Sequence, residues 1–154
     1  LFDVPVKDIE VVVHPESVVH SLVTFVDGST MAQLSPPDMR VPIQYALSHP
    51  ERLPAERKRL DLPELGKLTF RKPDPKRFPC LGLARAACEA GGGATAVMAA
   101  ADEWAVANFL DGKIGYLDIA RSVEKALEHA PKFDPASLEA VYAANEWTWK
   151  YLSR

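Results

Sequence analysis

Few side chains in this sequence have chemistry to offer. The four histidines are His14, His20, His49 and His129, and none stands in a His-x-x-x-His spacing that would point two imidazoles at one zinc ion. His14 precedes Pro15 at the end of a β-rich run, a place that often borders a site. It reads either as a hydrogen-bonded turn residue or as part of an active-site wall. His20 reads as structural or interfacial, and His129 falls on an exposed helix end. Asp102 and Glu103 interrupt the most apolar helical run. Adjacent helix positions point about 100° apart, so the two carboxylates would not converge on one substrate atom and suit a structural hydrogen-bonding role. Cys80 and Cys88 belong to one predicted helix, which holds their Cα atoms about 12 Å apart, too far for a disulfide. Free thiols suit a reducing, cytoplasmic setting. They lack the second Cys or His cluster of a metal site.

The familiar catalytic and nucleotide-binding signatures do not occur. There is no Gly-x-Gly-x-x-Gly, no Gly-Lys-Ser and no Gly-x-Ser-x-Gly. Gly91-Gly92-Gly93 has no strand ahead of it and reads as a helix stop. Ser17, Ser21 and Ser29 have no evident His–carboxylate partners. One further position stands out. Asp38-Met39-Arg40 lies between Pro36-Pro37 and Pro42, so its backbone is stiffened from both sides. A methionine held at such a corner can press its soft thioether against a flat ring, or can fill a core.

The elements that would position these residues fall into an α+β arrangement. Three antiparallel strands are expected at 9–13, 18–26 and 29–34. Asp27-Gly28 suits the positive φ angles of a tight hairpin turn between the last two. In the second strand Val19, Ser21, Val23 and Phe25 alternate with His20, Leu22 and Thr24. Neither side is clearly polar, so both faces are expected to be covered. A helix is expected near 42–48, with Pro42 in its first turn. Nine of the thirteen prolines lie between Pro36 and Pro79. That stretch reads as an extended linker with a short strand near 68–70 and a solvated loop at 51–59.

From Phe78 the pattern turns helical. Helices are predicted at 78–90, 94–111 and 116–130, and a fourth follows with Asp134 as N-cap and Pro135 at its first position. The second is apolar all round and should be central. The third places Ile119, Ala120, Val123, Leu127 and Ala130 on one stripe, opposite Arg121, Glu124, Lys125 and Glu128. The fourth places Leu138, Val141, Tyr142, Asn145, Trp149 and Leu152 on its stripe. Short connections favour antiparallel neighbours and hence a four-helix bundle. The resulting division is 1–48, a Pro-rich linker at 49–77, and a helical domain at 78–154.

Bulk properties limit the partners. At 154 residues with 47% hydrophobic content the chain can build a real core. A net charge of −3 gives no reason to expect nucleic acid or an anionic membrane surface. No apolar run approaches the roughly 20 residues of a membrane span. Residues 1–7 read as a lead-in from a preceding helix and loop, as if cut from something longer.

Several pieces stand out when taken in order: Val11-Val12-Val13-His14-Pro15-Glu16-Ser17, Val19-His20-Ser21, Asp27-Gly28-Ser29, Ala32-Gln33-Leu34 and Pro37-Asp38-Met39-Arg40-Val41-Pro42-Ile43. Leu68-Thr69-Phe70, Pro73-Asp74, Arg77-Phe78-Pro79-Cys80-Leu81 and residues 100–110 follow. In this order and spacing they resemble the C-terminal half of 1-deoxy-D-xylulose 5-phosphate reductoisomerase. One departure is Asp102, where that family usually has Asn.

The resemblance implies the end of a connective catalytic domain, a linker and a C-terminal helical domain. It implies a parent that uses NADPH and a divalent metal (Mg, Mn or Co) to convert 1-deoxy-D-xylulose 5-phosphate to 2-C-methyl-D-erythritol 4-phosphate in isoprenoid biosynthesis. In that family the NADPH-binding Rossmann domain and the metal-ligand stretches precede the region of resemblance, and neither metal stretch occurs in this sequence. The segment by itself is therefore expected to hold no metal ligands, no catalytic residue and no cofactor, and to be inactive. The resemblance also implies that Met39 lies near the nicotinamide and substrate end of a pocket, with His14 a further wall residue. It implies a homodimer formed through the strands. The rival reading is a freestanding dimerisation or scaffold module without catalysis.

Overall fold

The computed structural model describes residues 4–54, 56, 59–134 and 137–154. Two compact units emerge. One comprises Leu1–Glu10 with Asp74–Arg154, the other Val11–Pro73.

In the second unit a β-hairpin carries the chain to a helix. Strands β1 (Val19–Thr24) and β2 (Thr30–Leu34) pair antiparallel, with Leu22 opposite Ala32 and Val23 opposite Met31. An irregularity between Val19 and Ser21 accommodates His20 as an extra residue. The turn is longer than a two-residue one. Phe25 N–H donates to Ser29 O, and Gly28 N–H donates to Phe25 O. Of the expected Asp27-Gly28 pair, Gly28 alone takes a positive φ, +83°. Asp27 instead uses Oδ1 to accept from the Ser29 amide (2.8 Å) and hydroxyl (2.6 Å), and these two bonds hold its carboxyl below the usual range.

Among the described residues the sheet is two-stranded rather than three-stranded. The β-branched run ahead of His14 forms a single antiparallel bridge, Val13 to Arg71, and the expected strand at 68–70 reduces to that same bridge. With proline at 15 and 73 on either side, neither segment is long enough to extend a ladder. Helix α1 (Arg40–Ser48) takes in the expected 42–48 segment and begins two residues earlier. A short helix that the sequence does not announce, α2 (Leu62–Leu65), forms because Asp61 Oδ1 accepts from Glu64 N–H, with Pro63 inside the first turn. Within the expected 51–59 loop, Ala55, Arg57 and Lys58 lie outside the described residues.

The other unit gathers α3 (Cys80–Ala90), α4 (Ala94–Leu110), α5 (Tyr116–His129) and α6 (Leu138–Leu152), with α4 touching each of the other three. A 3-10 turn at Val6–Asp8 joins this unit, and Arg85 Nη2 donates to Ile9 O at 2.7 Å. Both cysteines lie on α3 and are free. The core is built from small side chains. Val97 and Ala101 of α4 meet Val123 and Ala126 of α5 and Ala144 of α6, all fully buried. The α5 stripe lies where expected.

The α6 stripe does so only in part, at Leu152, which packs against the core. Leu138, Val141, Tyr142 and Trp149 are exposed, and the buried face is Ala144 with Thr148. Two short side chains one turn apart let α6 approach α4 closely, and Thr148 Oγ1 satisfies itself by donating to Ala144 O at 2.7 Å. Helix α6 also starts later than expected. Ser137, not Asp134, is its N-cap, with Oγ accepting from Ala140 N–H. Pro135, expected at the first helical position, lies outside the described residues.

At the start of α5, Asp118 Oδ2 accepts from the Gly115 N–H at 2.9 Å and Oδ1 accepts from Arg121 at 2.9 Å. The Gly115 bond first, and Arg121 second, lower the Asp118 pKa. A carboxyl that titrates lower when folded contributes stability above the ordinary aspartate range and loses it as pH falls through the depressed value. Melting followed by helical circular dichroism should therefore decline between about pH 5 and pH 3 more steeply in the natural protein than in Asp118→Asn. Equal slopes would refute the role given to this cap.

Candidate functional site

The 11–73 unit holds a cavity of about 580 Å³ between the start of the hairpin, the proline corner and α1. Pro37, Met39, Val41 and Pro42 form its apolar wall, and Ser17, His20, Gln33, Ser35, Asp38, Tyr45 and Arg52 supply polar groups. An apolar wall with a few convergent polar groups is the usual form of a small-molecule site.

The corner is held by Asp38 and Arg40. The Asp38 carboxylate accepts from Arg40 N–H, Nε and Nη2 at 2.7–3.0 Å. That contact holds the Arg40 guanidinium still more firmly charged. Between them Met39 sits at the N-cap of α1, and the residue is 71% exposed. It fills no core among the described residues, and its thioether is available to whatever enters the cavity. Ser17, at the cavity's edge, has φ +51°, a left-handed backbone uncommon for a residue with a Cβ. His20 reaches the same cavity, with Nε2–H donating to Ser35 O at 3.1 Å.

His14 is placed differently. It is not among the residues lining this cavity. Its Nδ1–H donates to Thr69 O at 2.8 Å and lies 3.1 Å from Glu16 Oε2, while its ring stacks on Phe70 at 4.7 Å. Glu16 Oε2 in turn accepts from Thr69 N–H. Contacts to Thr69, chiefly, lower the Glu16 pKa against the opposing effect of desolvation. These bonds pin the 14–17 turn to 69–71. They leave His14 Nε2 buried without a partner among the described residues. His49 packs edge-on to Tyr45, and His129 donates from Nδ1 to Lys125 O and stacks on Tyr151.

The remaining candidates do not assemble into a reactive group. Asp102 and Glu103 are exposed on α4. Burial first, and Asp102 second, push the Cys80 thiol up, away from thiolate. The sequence reading missed Tyr45 and Arg52 as site residues. They come from α1 and from the segment taken for a solvated loop, and no local pattern joins them to Met39.

The family model of the DXP reductoisomerase C-terminal domain matches residues 34–151. The chain belongs to this family. A 1-deoxy-D-xylulose 5-phosphate reductoisomerase of Chlorobium phaeobacteroides is 52% identical over 147 residues, covering 96% of this chain. One from Caulobacter vibrioides is 58% identical over 128 residues, covering 83% of this chain and 32% of its own length. Among solved structures, the reductoisomerase of Zymomonas mobilis in complex with NADPH superposes with a TM-score of 0.92 at 45% identity, covering 99% of this chain and 40% of that one. The chain spans about 38% of the length of the Chlorobium relative.

Met39, Arg52 and all four helices α3–α6 begin inside the matched part of the DXP reductoisomerase C-terminal domain; His14, Ser17 and His20 precede it. The donor set of this domain does not fit a divalent metal. Among the described residues no three His, Cys, Asp or Glu side chains gather as ligands, and a hard cation needs several oxygens held together.

Proposed function

We propose that this chain is the C-terminal portion of a reductoisomerase. That enzyme would use NADPH and a divalent metal to convert 1-deoxy-D-xylulose 5-phosphate to 2-C-methyl-D-erythritol 4-phosphate, a step of isoprenoid biosynthesis. The observation that carries this reading is the 52% identity over 96% of the chain to an enzyme so named. In this reading the metal, whether magnesium, manganese or cobalt, takes its ligands from parts of the enzyme outside this segment. The segment's own contribution is a wall. Met39, beside Pro37 and Pro42, offers a flat apolar surface to the nicotinamide ring, and His14 braces the turn behind it.

The finer features belong to the same proposal. The domain boundaries fall near 48/49 and 77/78, and α3–α6 form a four-helix bundle. The enzyme works in the cytoplasm as a homodimer joined through β1 and β2. Support for the dimer is the exposure of Leu22, Val23 and Met31 on a two-stranded sheet with open edges. No described helix is long and apolar enough to cross a membrane.

The test is an assay of the complete protein carrying this segment. Mixed with 1-deoxy-D-xylulose 5-phosphate and a divalent metal, it should consume NADPH; a folded, metal-loaded preparation with no turnover would overturn the assignment. Met39→Ala should lower kcat/KM by roughly twofold to tenfold, the worth of one thioether–ring contact. The melting temperature should stay unchanged, since the side chain is already exposed. A large melting shift with normal kinetics would refute the wall assignment.

A further inference from the structure

The hydrogen bonds of the 38–40 corner close around one residue, Met39. Asp38 Oδ1 accepts from the Arg40 backbone N–H and from Nε, both at 2.9 Å, and Oδ2 accepts from Nη2 at 2.7 Å. The backbone is tied as well: Asp38 N–H donates to Pro36 O at 2.8 Å, and Val41 N–H donates to Asp38 O at 3.1 Å. The fork joins residues two apart and fastens no second element. Its Arg40 side chain is 74% exposed, and an exposed ion pair adds little stability. Arg40 is absent from the cavity lining, whereas Asp38 and Met39 belong to it. What the fork restrains is the backbone that carries the Met39 thioether. That restraint matters because dispersion is short-ranged: a gap of about 0.5–1 Å forfeits roughly a quarter to a half of a contact. A wall held in place beforehand also loses less freedom on binding.

We propose that Arg40 is a positioning residue. Without touching the ligand, it fixes the Met39 backbone through Asp38 and so sets where the thioether meets a flat ring. This rests on the reading of Met39 as a wall for the nicotinamide of a reductoisomerase.

The experiment uses the complete protein carrying this segment. Arg40→Gln removes the fork and leaves the backbone N–H that Asp38 also accepts. It should lower kcat/KM and NADPH affinity, the latter measured by tryptophan fluorescence without substrate, by about twofold to fivefold. The melting temperature should stay nearly unchanged. Arg40→Lys, which keeps the charge but not the fork, should recover part of the loss. A double-mutant cycle separates the two residues: in a Met39→Ala background, Arg40→Gln should cost nothing more. Losses that multiply would overturn the proposal, because Arg40 would then act apart from Met39. So would natural kinetics in Arg40→Gln, or losses that track a lowered melting temperature. Natural kinetics in Met39→Ala would refute the wall, and the proposal with it. Amide hydrogen exchange probes the clamp without any ligand: exchange at residue 40 should quicken about threefold to tenfold in Arg40→Gln. If the natural protein shows no turnover, the reductoisomerase reading fails, and exchange alone then decides the clamp. An unchanged exchange rate refutes it in either case.

Discussion

Gly93→Ala should cost the protein about 2–5 kcal/mol, a large part of the 5–15 kcal/mol that holds a domain together. Two effects add. Gly93 has φ +81°, where a residue with a Cβ is strained by roughly 1–2 kcal/mol. A Cβ built there would also stand 2.7 Å from Phe133 Cβ, closer than such atoms approach. Phe133 cannot easily retreat. Its N–H donates to Gly92 O at 3.0 Å, and its ring packs edge-on against Trp147. The control is Gly112→Ala, at φ +71° with nothing within 4 Å of the added carbon. It should show the backbone strain without the collision. Urea unfolding of both variants would measure the difference, and equal losses would refute the role assigned to Phe133.

Ala144→Leu should destabilise the helical unit by about 1–3 kcal/mol or more. Ala144 is fully buried where α6 meets α4, in the cluster with Val97, Ala101 and Val123. Three more carbons there must either push α6 away or force neighbouring side chains off their rotamers. The approach is also fixed at its far end, where Trp104 Nε1 of α4 donates to Ser153 Oγ at 3.1 Å. Ala143→Leu, one residue away on the exposed side of the same helix, makes the same chemical change and should be nearly neutral. Comparable losses in the two variants would mean that helix propensity, not packing, sets the cost.

Much of the helical unit was legible in the sequence alone. Gly91-Gly92-Gly93 ends one helix and begins the next because all three take positive φ. The 3.6-residue spacing of Ile119, Val123 and Leu127 marks the buried side of α5, because that helix has a polar face to contrast with an apolar one. The ordered fragments around Met39 placed the chain in its family. Local rules failed where the outcome depends on a partner surface. On α6 the large apolar residues made the more persuasive stripe. Yet Ala144 and Thr148 are buried, since only short side chains let the backbone come close to α4. Val11, Val12 and Val13 have strand propensity, but a strand needs a neighbour long enough to pair with, and Arg71 offers a single bridge. The cavity is the clearest case. Ser17, His20, Met39, Tyr45 and Arg52 share no period and no motif. Only the hairpin, the proline corner and α1, folded together, put the Tyr45 ring and an exposed thioether around one space.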